Sequence, residues 1–393
     1  MGYDFDRLID RRGTDCLKFD FAVEQGKRAD ILPLWVADMD FPVAPAIQQA
    51  LIERCEHGIF GYAGTKEDYN QAVAGWFTRH HGWTPEARWM VKTPGVVFAL
   101  ATAVRACTQP GDAVLIQPPV YYPFFRVVKD NGRRLVENEL LLRNGRYEID
   151  FADLEQKFRE EQVKLMLLCS LHNPVSRVWT QEELERLAAL CLQYHVILAA
   201  DEIHCDFTFP GHPFTSLGTL GPEILGQSLI FTAPSKTFNL AGLQVSNVFI
   251  PNDSLRRDFW REMRAVGYSQ LNALGLLACK TAYSQCDDWL AELKDYLYGN
   301  LCFLRSYLSE KLPQLRLIEP EGTYLVWIDF SATGLRGQAL DDAVADKAGL
   351  WLDGGTMFGG QADSFQRINI SCPRKTLEQA LDRLTAAFGE QEA

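Results

Sequence analysis

The chain has 393 residues, 47% of them hydrophobic, with a formal net charge of −12. That length and apolar content allow a large core, in two domains or in one large domain with a smaller appendage. The acidic balance argues against a nucleic-acid surface, which needs clustered Lys and Arg, and no run approaches the roughly 18 to 20 apolar residues of a membrane helix.

At the N-terminus, MGYDFDRLID has neither a basic leader nor an apolar signal core, and it lacks the Ser/Thr of a myristoylation signal. Residues 1–40 are expected to pack with a C-terminal domain. The stretch TPGVVFALATAV (Thr93–Val104) puts a glycine at a turn before an apolar helix start. AVLIQ (113–117), KLMLLC (164–169), VILAA (196–200), SLIFTA (228–233) and NVFI (247–250) predict buried strands. They are continuous rather than alternating, which suits a sheet covered on both faces. Between two of them, Thr180 and Glu183 predict a capping box, and Leu184, Leu187, Ala188 and Cys191 follow on one helical face. Strands alternating with such helices imply an α/β fold with a mostly parallel doubly wound sheet, in a large domain over residues 41–284. From about residue 285 the pattern changes. A long helix (Trp289–Lys311) and short strands around TYLVWIDF and QRINISC precede a closing helix with Leu377, Ala380, Leu381, Leu384 and Phe388 on one face. This predicts a smaller α+β domain over residues 285–393. The ten cysteines are scattered without a CxxC pair, and Cys169, Cys191 and Cys279 sit in apolar runs. Reduced buried thiols and a cytoplasmic location are expected. No His, Cys or acidic group has the tight spacing of a zinc site, so no metal is expected.

In an open parallel sheet, ligands bind beyond the carboxyl ends of the strands. The strand 164–169 runs into Asn173, the strand 196–200 into Asp201 and His204, and the strand 228–233 into Lys236. An amide, a carboxylate and an amine therefore arrive at one edge. Each alone is bland: Asn before Pro starts turns, Asp caps segments, and a loop lysine is usually solvated. Yet the segment TAPSKTFNLAGL around Lys236 holds no acidic partner for it. A cofactor that needs all three groups is pyridoxal 5′-phosphate. It takes an amine for a Schiff base, an acid for its pyridine nitrogen, a hydrogen bond to its ring oxygen and a nest of amides for its phosphate. The helix start at Gly95, Val96 and Val97 offers such a nest. Tyr121 and Tyr122 of PPVYYPFF follow the strand 113–117 to the same edge, where an aromatic face can stack on a pyridine ring.

With these residues the chain resembles the fold type I pyridoxal-phosphate enzymes, which share the aspartate aminotransferase fold. More narrowly it resembles the cystathionine β-lyase (C–S lyase) group of the class I/II aminotransferase family. The resemblance covers nearly the whole chain. LPLWVADMDF (32–41), GYAG (61–64), PPVYYPF, HNPVSRVW, DEIH, PSKTFNLAGLQ, EGTYLVWIDF and RINISCPR occur in the family's order. It implies that Lys236 is the Schiff-base lysine, Asp201 the partner of the pyridine nitrogen and Asn173 the amide on the ring oxygen. His204 stands where many relatives have a tyrosine. Tyr121 matches the stacking aromatic and Tyr122 an acid near the leaving group. Gly95, Val96, Val97 and Ser235 match the phosphate site. Tyr62 matches a tyrosine that reaches the phosphate of a neighbouring subunit, which implies a homodimer. Arg367 matches the grip on the substrate α-carboxylate, for which a forked guanidinium is apt, and Ala37 and Asp38 match substrate-side positions. Two departures stand out. Ser170, Leu171 and Ser176 replace the Asn, Pro and Gly of the usual loop, and Gln244 stands where many aminotransferases have a phosphate-binding arginine. The implied activity is α,β-elimination on a small amino-acid substrate, an S-substituted L-cysteine, giving pyruvate, ammonia and a thiol. The alternatives are an aminotransferase using the same lysine and aspartate, or a regulatory protein of this fold that binds a transcription factor. No nucleic-acid or membrane partner is implied.

Overall fold

The computed structural model describes residues 2–389. Its centre is a seven-stranded sheet in the order Met90–Thr93, Ser246–Phe249, Ser228–Thr232, Ile197–Asp201, Val163–Cys169, Ala113–Ile116, Arg134–Glu137. The five expected strands are present with ends shifted by a residue or so. Two more, Met90–Thr93 and Arg134–Glu137, occupy the edges, and their mixed sequences MVKT and RLVE lack the apolar run that marks the others. Ser246–Phe249 runs antiparallel to both of its neighbours, while the remaining pairs are parallel.

The continuous apolar strands serve two cores at once. In Val163–Cys169, Met166 and Leu168 join one buried cluster, whereas Leu165 and Leu167 join another on the opposite face. Alternate side chains of a strand point to opposite faces, so each face needs its own apolar set. The helix Val96–Cys107 covers one face and lies against the helix Asp253–Ala265. The helix Gln181–Gln193 buries Leu184, Leu187, Ala188 and Cys191 as its pattern predicts. Its capping box is formed: Glu183 N donates to Thr180 Oγ1 at 3.2 Å, and Thr180 N donates to Glu183 Oε2 at 2.8 Å.

After the long helix Asp287–Lys311 comes a four-stranded antiparallel sheet in the order Arg316–Ile318, Leu325–Asp329, Phe365–Asn369, Asp353–Gly354. The closing helix Arg374–Phe388 buries Leu377, Ala380, Leu381 and Leu384 and lies against the long helix. The N-terminal strand Leu32–Pro33 pairs with Leu350–Trp351, and Asn369 N donates to Leu34 O at 2.9 Å. Among the described residues no helix is long and apolar enough to cross a membrane. All ten cysteines are free, with Cys169, Cys191 and Cys279 buried.

Candidate active site

Strand register brings the site together. Cys169 pairs with Asp201, and Asp201 with Phe231, so three strands end level and their following residues meet. Asn173, Asp201, His204, Ser235 and Lys236 line one cavity with Ala37, Gly95, Val96, Val97 and Tyr121. Gln244 is in the same wall, in the left-handed region at φ 46°. Lys236 is not in a loop: Pro234–Thr237 forms one helical turn with proline at its start, where the missing N–H costs nothing. Its Nζ donates to the Ala37 carbonyl at 2.8 Å, and the Tyr324 hydroxyl donates to the same oxygen at 3.2 Å.

Gly95 precedes the helix Val96–Cys107 with φ 120°, a conformation that side chains disfavour, and a Cβ there would meet nothing within 4 Å. The first amides of that twelve-residue helix have no intrahelical acceptors and lie at the cavity wall, a setting for an anion.

Arg367, on the four-stranded sheet, lies outside the cavity wall and touches its lining residue Asn173. Its NH1 donates to Asn173 Oδ1 at 2.8 Å and its NH2 to the Trp35 carbonyl at 3.0 Å. It also forms a buried pair with Asp353, while its Nε is buried without a partner among the described residues. The Phe358 ring lies 5.0 Å beneath the guanidinium. Tyr122 is half-buried, its ring 5.4 Å from that of Tyr121 and 6.0 Å from that of Phe358.

Burial sets the charges. It pushes the Asp201 carboxyl up to about 7, against a hydrogen bond from Ile203 N and the charge of Lys236. Burial likewise brings Lys236 down to about 8, with Asp38 and Asp201 opposing and Arg367 assisting. His204 falls well below its ordinary value through burial, then Lys236 and Arg367. The Tyr121 and Tyr122 hydroxyls are raised, mainly by burial, and stay protonated.

Four expected positions lie outside the cavity wall: Tyr122 and Arg367, which touch its lining residues Tyr121 and Asn173, and Tyr62 and Asp38. Tyr62 is 98% exposed on the stretch 58–66 and does not reach the cavity of its own chain. Asp38 is outside the wall, its carboxylate held by Arg11. The unusual loop has a local explanation. Ser176 stands at φ 57°, where glycine is favoured, and its hydroxyl donates to the Leu325 carbonyl at 2.5 Å, which offsets the backbone cost. Leu171 packs where Gly322 leaves no room for a Cβ. Sequence reasoning missed Arg11, Asn239, Tyr324 and Asp353. Only Asn239 and Tyr324 lie in motifs that draw attention, SKTFNLAGL and EGTYLVW.

These groups fit pyridoxal phosphate. Asp201 accepts one hydrogen bond among the described residues, at 3.1 Å from Ile203 N, and a pyridinium beside it would restore its charge. His204 Nδ1 is buried without a partner among the described residues, and the amide cradle at Gly95 is open.

Known proteins resemble this chain over nearly its whole length. Over 384 residues the chain is 42% identical to "Cystathionine beta-lyase PatB" of Bacillus subtilis, covering 98% of this chain and 99% of that protein. It is 32% identical to "Protein MalY" of Escherichia coli, with 98% and 99% covered. Among solved structures, cystalysin from Treponema denticola, described as containing a pyridoxal 5′-phosphate cofactor, superposes with a TM-score of 0.95 at 36% identity, covering 98% of this chain and 99% of that one. The PLP-bound C–S lyase from Staphylococcus hominis gives 0.93 at 31% identity, with 99% of each chain covered. The family model for aminotransferase class I and II matches residues 29–384. The chain belongs to the aminotransferase class I and II family.

Proposed function

We propose that the protein is a pyridoxal-phosphate-dependent carbon–sulfur β-lyase. It cleaves S-substituted L-cysteines such as cystathionine to pyruvate, ammonia and a thiol. The observation that carries this is the meeting of Lys236, Asp201 and Asn173 in one cavity wall, with Arg367 hydrogen-bonded to Asn173. The relatives named as cystathionine β-lyase and C–S lyase favour elimination over amino transfer.

When bound, pyridoxal phosphate supplies an aldehyde for the amines and an electron-withdrawing ring that lowers the acidity barrier at the substrate Cα. Asp201 holds the proton on the ring nitrogen. Asn173 has its carbonyl oxygen committed to Arg367, which leaves its Nδ2 as the donor to the ring oxygen. The free Nε–H of Arg367 is available to the substrate carboxylate. Lys236, with its pKa lowered to about 8, has a neutral fraction near neutral pH and takes the Cα proton. The Cβ–S bond then breaks with its electron pair on sulfur, and Tyr121, Tyr122 or Lys236 returns a proton to give the thiol. Water hydrolyses the remaining three-carbon product to pyruvate and ammonia.

The working unit is a homodimer in which Tyr62 completes the phosphate site of the neighbouring subunit. Ile59, Phe60 and Tyr62 are 66%, 59% and 98% exposed on one short stretch, and adjacent exposed apolar side chains mark interaction surfaces. Its free thiols suit the cytoplasm.

Incubation with L-cystathionine and no keto acid tests the reaction. Steady release of pyruvate and thiol is the expected result; conversion stopping at one equivalent of pyridoxamine phosphate would make it an aminotransferase. A visible absorption band that disappears in Lys236→Ala tests the cofactor.

A further inference from the structure

The segment that carries Ala37 is held from three directions. Asn369 Nδ2 donates to the carbonyls of Val36 and Asp38, both at 2.7 Å. Asn239, three residues after Lys236, accepts from Met39 N at 3.0 Å and donates to the carbonyls of Met39 and Phe41 at 3.0 and 2.9 Å. The third hold comes from the N-terminal segment. Arg11 forks onto Asp38, NH2 to Oδ2 at 2.5 Å and NH1 to Oδ1 at 3.2 Å, and its NH1 also reaches Asp40 at 2.7 Å. Lys18, wholly buried at its side chain, donates to both oxygens of Asp40 at 2.9 and 3.0 Å and lies 3.7 Å from Asp38. Two carboxylates and two cations thus form a neutral cluster.

Lys236 meets this segment at the Ala37 carbonyl, one residue before Asp38. The charged groups around the lysine are Asp38 from this segment, Asp201 from the strand Ile197–Asp201 and Arg367 from the strand Phe365–Asn369. His204 and Tyr324 complete the surroundings as neutral groups. With Asp201 committed to the ring nitrogen, Asp38 is the remaining carboxylate whose charge favours the ammonium form. Arg11 is the cation bonded directly to it, because Lys18 is spent on Asp40. An uncompensated Asp38 would keep the base protonated when it has to accept a proton.

We propose that Arg11 is a positioning residue for the reaction. By gripping Asp38 it docks the Ala37 carbonyl on Lys236 and offsets part of the Asp38 charge that the lysine feels, an inference that rests on Lys236 being the cofactor lysine. The forked geometry matters, since a guanidinium fixes both the place and the charge of a carboxylate.

The test follows the visible absorption of the holoprotein from about pH 6 to about pH 10, which reports the protonation of the Lys236 nitrogen in its bond to the cofactor, in parallel with kcat/KM. Arg11→Met is expected to move the spectral midpoint up by about half to one pH unit, and Asp38→Asn to move it down. The double variant should match Asp38→Asn alone, because the one carboxylate left in the cluster, Asp40, keeps its partner in Lys18. Arg11→Lys, which keeps the charge and loses the fork, should restore much of the midpoint and serves as the folding control. An unmoved midpoint in Arg11→Met overturns the proposal, and so does an Arg11→Met shift that persists in the Asp38→Asn background. Should the Lys236→Ala holoprotein keep the visible band, the assignment of Lys236 fails instead, which separates the two failures.

Discussion

Arg367 and Asn173 lie 194 residues apart in the chain and share a hydrogen bond of 2.8 Å. It joins the four-stranded sheet to the loop after Val163–Cys169, and it fixes which way the Asn173 amide faces. On the proposed function, this one hydrogen-bonded pair would present a cation to the substrate and an N–H to the cofactor, so that one contact would orient both ligands.

Replacing Arg367 with lysine keeps the charge but not the planar fork. The expected result is a loss of about 100-fold in kcat/KM, equivalent to about 2.7 kcal/mol, carried mostly by a higher KM. Steady-state kinetics on a substrate and on its α-carboxamide would check it. The wild type should discriminate strongly between the two and Arg367→Lys should not.

Asp201→Asn should act with opposite signs in the two forms of the protein. Without cofactor, the folded carboxyl titrates at about 7 against an ordinary 3.8. The folded state then holds its proton longer than the unfolded chain, and stability falls as pH rises between those values. Asparagine removes that cost, so the gain in cofactor-free stability should be absent below about pH 4, grow to about pH 7 and stay level above it, on the order of a few kcal/mol. With cofactor, the same variant should lose affinity and activity. Thermal melts of both forms across pH decide the matter.

Asp206 anchors the turn that carries Lys236. It accepts from Thr237 Oγ1 at 2.5 Å and Trp76 Nε1 at 3.2 Å, with His81 Nε2 at 2.9 Å. Burial raises its carboxyl, but His81 and Thr237 outweigh that and hold it below the ordinary 3.8. Its contribution to stability is therefore complete above the ordinary value and lost as pH falls through the lower folded one. Asp206→Ala leaves Trp76 Nε1 and Thr237 Oγ1 without their acceptor and removes the partner of His81. A loss of about 3 kcal/mol in denaturant unfolding near neutral pH is expected, with faster cofactor release.

If Tyr62 serves the neighbouring site, two inactive variants should repair each other. Tyr62→Ala and Lys236→Ala subunits refolded together would place both lesions in one site of each mixed dimer and leave the other intact. Random pairing predicts about a quarter of wild-type activity. Activity no greater than that of Tyr62→Ala alone would mean that the sites are not shared.

Much of this was legible in the sequence, for a physical reason. A strand buried on both faces announces itself as an apolar run, and the residues just beyond its end are fixed in space by the sheet. Asn173, Asp201 and Lys236 could be brought together on that ground alone. Direction is different, since hydropathy reads the same both ways, and the reversal of Ser246–Phe249 left no mark in NVFI. The edge strands were hidden by their own charges. Arg11 and Asp353 were hidden because a charged residue in an acidic N-terminus, or in the turn-like LDGG, reads as solvated until its distant partner is known. Asp38 stood in a recognisable motif, but the cation that holds it did not.

The holds on the Ala37 segment bear on when the protein becomes functional during its synthesis. Met39 waits for Asn239, 200 residues later, and Val36 waits for Asn369, 333 residues later. A growing chain can complete its central sheet long before it can seat Lys236 against Ala37. The full set of holds on the Ala37 segment is therefore complete only once Asn369 has been made.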